Sequence, residues 1–457
     1  MIDEDDVQPG IIDAPFGASG AVQGRDTLAM LSGTTGADRR DALRCLRDLA
    51  RAQAPGVSVT IGLSAAGLRR LGVDPALVML FPAEWLAGAP SRSALLRDPD
   101  PAGWEHCLGH ADFDVIVMAS TREADAQSIE DFHAKLTPLL DGAQCVPMSL
   151  TADHREPFGF RDGISNPRLE GSGRTVEPGN GVWTGSRWRP LRAGEILYGY
   201  PDETGSLPGV VAAHDLLRNG SMLAWRKIEQ HLDAFTALAA RVCDSKKHVP
   251  PHRPGPGVPC EDCRAELIGR NQDGTARSAS VGDNGFTFQE PDAYRVSTSS
   301  HVRRSNPRTG EHFAGVAGAD SHRMIRRSMR WDDSDAGRTG TVFRCYQTSI
   351  ASQFEFVQRE WCNHGDHFRE GRIMDPVTGS VCPISAPVLG ADPSERERLL
   401  VTWNRDPDSR VAVIRPNTQV PGSPRSPDPV TTVLGAFYAF VPGHRSLDGF
   451  VSGRWAS

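Results

Sequence analysis

Apolar, β-branched runs recur along this chain, each followed by a helical pattern. DTLAMLSG at 26–33, DALRCLRDLARAQ at 41–53 with leucines at 43, 46 and 49, and VSVTIGL at 57–63 read as strand, helix and strand, with a short helix after them at SAAGLRRLG. The spacing of apolar residues changes there from about 2 to about 3.6 and back, which is what a segment needs to present one face first as a strand and then as a helix. The alternation returns in DFDVIVMAS (112–120) and SIEDFHAKLTPLL (128–140), then in the strand SMLAWRKI and the helix EQHLDAFTALAARV. Later come the strand GTVFRCYQ, a helix SIASQFEFVQREW and a C-terminal strand AFYAFVP. Such a pattern predicts an α+β fold. Two blocks of similar make-up predict a duplication, with one domain over 1–155 and a second over 156–457.

The length of 457 residues permits a large core, and 46 glycines and 34 prolines predict many irregular connections. The longest is expected near 243–283, a Pro/Gly-rich insertion. A net charge of −7 without a domain-wide basic excess argues against nucleic acid as a partner. No apolar run approaches the length of a membrane span. The acidic start MIDEDDVQPG has neither a secretory nor a twin-arginine leader, so a cytoplasmic protein is expected. Nine scattered cysteines do not form a disulfide scaffold, and reduced thiols are expected. His248, His252, Cys260 and Cys263 have residue types suited to zinc, but at a spacing that matches no common finger.

One stretch stands out chemically. In EPFGFRDGISNP (156–167) Asp162 lies between glycines 159 and 163, and Asn166-Pro167 disfavours helical backbone at the end of the stretch. This is turn or loop sequence, not helix interior. An acid held there either caps its own turn or faces a cavity. Two further segments carry candidates for redox chemistry: His301 in SSHVRRSNPR and Arg326 in HRMIRRSMRW. Taken singly, each has an ordinary explanation in surface or core packing.

Taken together, the segments resemble the dye-decolourising peroxidases, a family of haem enzymes. The resemblance rests on GFRDGISNP, GEILYGYPDE (194–203), NGSMLAWRKI (219–228), HVRRSNPR (301–308) and the arginine pair at 326–327 followed by GTVFRCYQTSIASQFEFVQ (340–358). It extends over nearly the whole chain. It implies two ferredoxin-like domains with antiparallel sheets, of the dimeric α+β barrel type, with one haem b per chain held mainly by the second. His301 falls at the position of the proximal ligand to the haem iron. Asp162 and Arg326 fall on the distal side, where peroxide would yield a ferryl intermediate. Phe343 matches an aromatic that shapes the distal pocket, Ile164 belongs to the distal motif, and Arg303 matches a basic residue that can approach a haem propionate. The implied partners are hydrogen peroxide and aromatic or phenolic reductants, with a homo-oligomer left open. Ser328 and Thr341 depart from the family pattern, the latter standing where leucine is frequent.

Some choices stay open. Glu355 and Asp366 both could orient His301. Trp331, Trp361, Tyr346 and Trp403 could pass electrons from bulky substrates, although each also reads as core. A haem-handling protein with low turnover and a zinc-stabilised interaction protein are the rivals to a peroxidase.

Overall fold

The computed structural model describes residues 1–16, 20–52, 56–105, 108–109, 113–209, 214–247, 260–277, 284–287, 296, 300–308, 318–363, 399–401, 412–414 and 429–456. Its main sheet contains β1 (Val22–Leu31), β2 (Val57–Leu63), β3 (Val115–Arg122), β4 (Leu140–Leu150), β5 (Ser221–Gln230), β6 (Ile325–Arg326), β7 (Met329–Asp333), β8 (Arg338–Gln347) and β9 (Thr431–Val441). The order is β5-β9-β2-β3-β1-β4-β7-β8-β6, and β5 also pairs with β8, which closes the sheet on itself. Pairing within it is antiparallel throughout.

The ring is two copies of one arrangement. In the first half β1 and β3 are central, with β2 beside β3 and β4 beside β1. In the second, β5 and β8 are central, with β7 beside β8 and β9 beside β5. This is the ferredoxin-like order twice over, and the division at 155 falls between β4 and β5. Each seam between the halves rests on a single paired position, Phe440 with Leu63 and Ser149 with Arg330. Trp225 of β5 and Arg344 of β8 both donate to the carboxylate of Asp26 in β1, at 2.7 and 3.3 Å. Asp26 is fully buried, and that burial raises its carboxyl above the usual range against the pull of Arg344 and Trp225.

The amino-terminal segment fastens one seam. Buried Gln8 donates to the carbonyls of Ile61 in the first half and Pro442 in the second, both at 2.9 Å, and accepts from Ile61 N–H at 2.8 Å. Asp6 accepts from the side chain of Asn219 and the N–H of Arg445, each at 2.7 Å.

Helix α1 (Gly36–Ala52) begins earlier than the apolar period predicts, because Thr35 and Asp38 form a reciprocal cap: Asp38 accepts from the N–H of Thr35 at 2.9 Å and donates its own N–H to Thr35 Oγ1 at 3.1 Å. It buries Ala42, Leu43 and Leu46, while α2 (Ala126–Leu136) buries Ile129, Phe132 and Leu136, an i, i+3, i+7 stripe. The second half carries α3 (Leu232–Lys247), α4 (Cys260–Ile268), α5 (His301–Ser305) and the C-terminal α6 (His444–Ser452). Residues Ala351–Cys362, expected as an ordinary helix, wind as two consecutive π-helical segments. The Pro/Gly-rich insertion contains α4, so it is not loop throughout. Cys45, Cys145 and Cys345 are free thiols, but Cys263 is disulfide-bonded, contrary to the expectation of reduced cysteines and in a form that a reducing cytoplasm disfavours. Among the described residues no helix is long and apolar enough to cross a membrane.

Candidate functional site

Asp162 sits at the base of a small hairpin. The N–H of Asp162 donates to His154 O at 2.9 Å, Arg155 bridges Arg161, and Glu156 N–H donates to Phe160 O at 2.9 Å. The tip closes with Gly159 N–H to Glu156 O at 2.8 Å, with Gly159 at φ +92° and Gly163 at φ +79°, which is where the glycines are required. Asp162 Oδ1 accepts the N–H of Gly163 at 2.6 Å while the residue stands half-buried on a cavity wall. The turn-capping and cavity-facing readings of this acid are both satisfied.

Arg326 lies opposite, on β6, paired to Cys345 of β8. Its N–H donates to Asn166 Oδ1 at 2.9 Å and its Nη2 to Ile164 O at 2.8 Å. The loop that continues from Asp162 is thereby latched to the strand that carries the arginine. Ile164, expected at the cofactor, lies on the smaller cavity beside Asp162.

His301 opens α5, and two cavities of about 380 and 190 Å³ meet against it, sharing Ile228, Asn306, Arg326 and Phe343 as lining. Strand alternation explains the wall: Arg226, Ile228 and Gln230 are two apart on β5, and Thr341 and Phe343 are two apart on β8. Register sets Phe343 opposite Arg226 and Thr341 opposite Ile228. Phe354, Val357 and Trp361 from the π-helical stretch line the larger cavity, and Asp162 belongs to the smaller. The structure thus brings His301, Asp162, Ile164, Arg326 and Phe343 to one place.

It does not bring Arg303 there. That side chain is buried and donates to Val296 O at 2.6 Å, and it lines neither cavity. The reason is helical geometry, since positions i and i+2 point to different sides of a helix and His301 and Arg303 stand two apart. The cations that do line the cavities are Arg270, Arg308, Arg323 and Arg326, together with Arg97, Arg161 and Arg226. Burial and then the charge of Arg270 hold Arg308 well below its ordinary pKa, and burial followed by the charge of Arg326 lowers Arg270 to about 10. Arg323 is 6% exposed, donates through Nη1 to Gly181 O at 3.1 Å, and has a buried Nη2 with no hydrogen-bond partner. The sequence reading passed over Arg308, the last residue of HVRRSNPR, which follows the end of the helix at Asn306-Pro307 and has φ +56°.

Of the two acids expected to orient His301, Glu355 is committed to Arg92 at 2.9 and 2.7 Å and to Tyr438 OH at 3.2 Å, while Asp366 lies outside the described residues. Trp331 is buried, with Lys227 Nζ 4.3 Å from its ring centre, and Tyr346 is buried against Met118. Trp361 is buried on the larger cavity and Trp403 lies outside the described residues. None of the three described aromatics is a surface group. His248 and His252 also lie outside the described residues, among which no cluster of metal-ligating side chains occurs.

Comparison with known proteins gives a consistent set of likenesses. The sequence profile of a family described as Dyp-type peroxidase, C-terminal, matches residues 261–383. Peroxidase 2 of Mycetinis scorodonius is 25% identical over 411 residues, covering 77% of this chain and 72% of that one. The multifunctional dye peroxidase DyP2 of Amycolatopsis sp. is 26% identical, covering 70% and 71% of the two chains. Among solved structures, a dye-decolorizing peroxidase in complex with 2,6-dimethoxyphenol superposes with a TM-score of 0.71 at 19% identity over 100% of both chains. A fungal DyP-type peroxidase from Auricularia auricula-judae gives 0.71 at 17% identity over 99% of both.

Proposed function

Because this chain belongs to the DyP-type peroxidases, we propose that it uses hydrogen peroxide to oxidise aromatic dyes or phenolic compounds at one haem b per chain, with His301 on the iron and Asp162 and Arg326 on the peroxide side. The observation that carries this is the convergence of those three side chains on two cavities that meet against His301.

The residues present fit such a group. The walls offer an imidazole from His301, flat apolar contact from Ile228, Phe343, Phe354 and Trp361, and cations at Arg308 and Arg323. A neutral imidazole suits iron. Several buried arginines lowering one another's pKa favour an anion, and the unpartnered Arg323 Nη2 has a hydrogen bond to give to a carboxylate. When bound, haem supplies the iron at which peroxide is reduced and from which reductants are oxidised one electron at a time.

The chain's own part is positioning and proton handling. Peroxide loses a proton from one oxygen and regains it on the other. Asp162, held by its hairpin at the smaller cavity, receives and returns that proton at a carboxylate oxygen, directly or through a water. Arg326 brings a guanidinium group that is oriented by Asn166 and by Ile164 O. A fixed positive charge in a water-poor site stabilises negative charge that develops on the departing oxygen. Phe343 supplies apolar wall to both cavities.

The test is His301→Ala. The variant should fold and retain little or no haem after reconstitution, whereas the wild type takes up one equivalent and bleaches dye with peroxide. Full occupancy and an unchanged ferric spectrum in the variant would move the iron ligand elsewhere.

A further inference from the structure

A second acid lines the smaller cavity beside Asp162. Glu156 Oε2 accepts the N–H of Phe158 at 2.9 Å and Nε2 of Gln230 at 2.6 Å, and its Oε1 accepts the N–H of Phe160 at 2.8 Å. Gln230 Oε1 in turn accepts from Thr341 Oγ1 at 2.6 Å. The polarity of this chain of bonds has one cause: an ionised carboxylate only accepts, so Gln230 must turn its amide nitrogen to Glu156 and its oxygen to Thr341, and the threonine must donate. Three N–H groups therefore converge on Glu156, two of them from the backbone of the hairpin that ends in Asp162. Thr341 stands where the related pattern favours leucine, which could make no such bond.

We propose that Glu156 is a positioning residue for Asp162: as a carboxylate it holds the hairpin from inside, and Gln230 and Thr341 fix where that carboxylate sits. A protonated Glu156 presents an O–H to at least one of its three N–H donors and leaves that donor without an acceptor, so the hairpin loosens on protonation. Burial, and in lesser measure the charge of Asp162, push its carboxyl upward, while the N–H donors oppose this. The charged groups that face it are Asp162 on its own hairpin and Arg330 on β7. Proton uptake at Glu156 is thereby coupled to the geometry of the acid that handles peroxide.

The inference rests on Asp162 as the peroxide-side acid, so three full-length haem-loaded variants are compared. Glu156→Gln keeps the shape but offers one acceptor oxygen and adds N–H groups that face other N–H groups. Its reaction with peroxide should slow about 10–10²-fold, the scale of a catalytic group misplaced by about an ångström. Hydrogen exchange at Phe158, Phe160 and Asp162 N–H should speed up, and the part of the pH profile due to Glu156 should vanish. Thr341→Val removes only the end of the chain of bonds and should give a smaller change of the same kind, which keeps the idea testable if Glu156→Gln does not fold. Wild-type exchange at those amides, or a wild-type peroxide rate in both variants, overturns the inference. If Asp162→Asn itself reacts at the wild-type rate, the assignment of Asp162 fails instead, and the two failures are told apart.

Discussion

Strands β1 to β4 lie under α1 and α2, whose Leu43, Leu46, Ile129, Phe132 and Leu136 are buried, whereas strands in the same order in the second half turn Arg226, Ile228, Gln230, Thr341 and Phe343 toward open cavities. The backbone plan is shared, so the site does not come from the plan. It comes from what covers the sheet: an amphipathic helix laid on its apolar stripe fills the face in one half, and a five-residue helix and a π-helical stretch stand over it in the other. The two halves share one strand order, and both described cavities lie on the second.

That contrast can be broken most sharply at Arg326. Replacing it with leucine deletes a guanidinium group from the cavity wall, and the peroxide-driven change of the haem spectrum should slow by about 10²–10³ in stopped-flow absorbance without dye. Asp162→Asn keeps shape and hydrogen bonding but cannot relay a proton. Its loss should be no larger than that of the arginine variant and should vary with pH. If both variants react like the wild type, the open half is not where peroxide is handled.

A smaller effect sharpens the comparison directly. Ile129→Val in the closed half should cost about 0.5–1.5 kcal/mol in denaturant unfolding and leave haem affinity alone. The same deletion at Ile228, which faces the cavities, should cost less stability in haem-stripped protein and weaken haem binding. Equal stability losses at the two sites would mean that the second half is packed as tightly as the first.

A further effect is a slope. Glu195, buried and only 4% exposed, has its carboxyl pushed up to about 8 by burial first and then by Asp202, Glu203 and Asp320, while the N–H of Glu203 opposes this. Its folded pKa lies above its unfolded value, so the folded chain holds the proton longer. Stability is then present below the unfolded pKa and declines as pH rises toward about 8. Glu195→Gln should flatten that decline in thermal melts taken from pH 5 to 8, and an unchanged slope would remove Glu195 as its source.

Strands whose apolar residues are buried on both faces were legible, as at VSVTIGL. Strand β4 was not, because only Leu140, Val146 and Met148 of Leu140–Leu150 are buried and it contains Gly142 and Pro147, so its period is weak and only its pairing with β1 shows it as strand. Strand β7, five residues long, escaped for want of length. Motif residues carried Asp162, His301 and Arg326 to one cavity, because each sits on a local element that the sequence punctuates. The motif misplaces Arg303 because a string of letters does not show that a helix has sides. Glu156, Gln230 and Thr341 are 185 residues apart at their extremes (341 − 156), and no local pattern announces a hydrogen-bond chain of that span.

The strap formed by Asp6 and Gln8 has a consequence in time. These residues are made 434 and 439 residues before the partners they bond across the seam, Pro442 and Arg445. At a synthesis rate of about 5–20 residues per second the segment waits for tens of seconds before its partners exist. Each half can assemble as it emerges, but the stitch that joins them cannot close until Pro442 and Arg445 have been made, so an early part of the chain waits to sew in a late one.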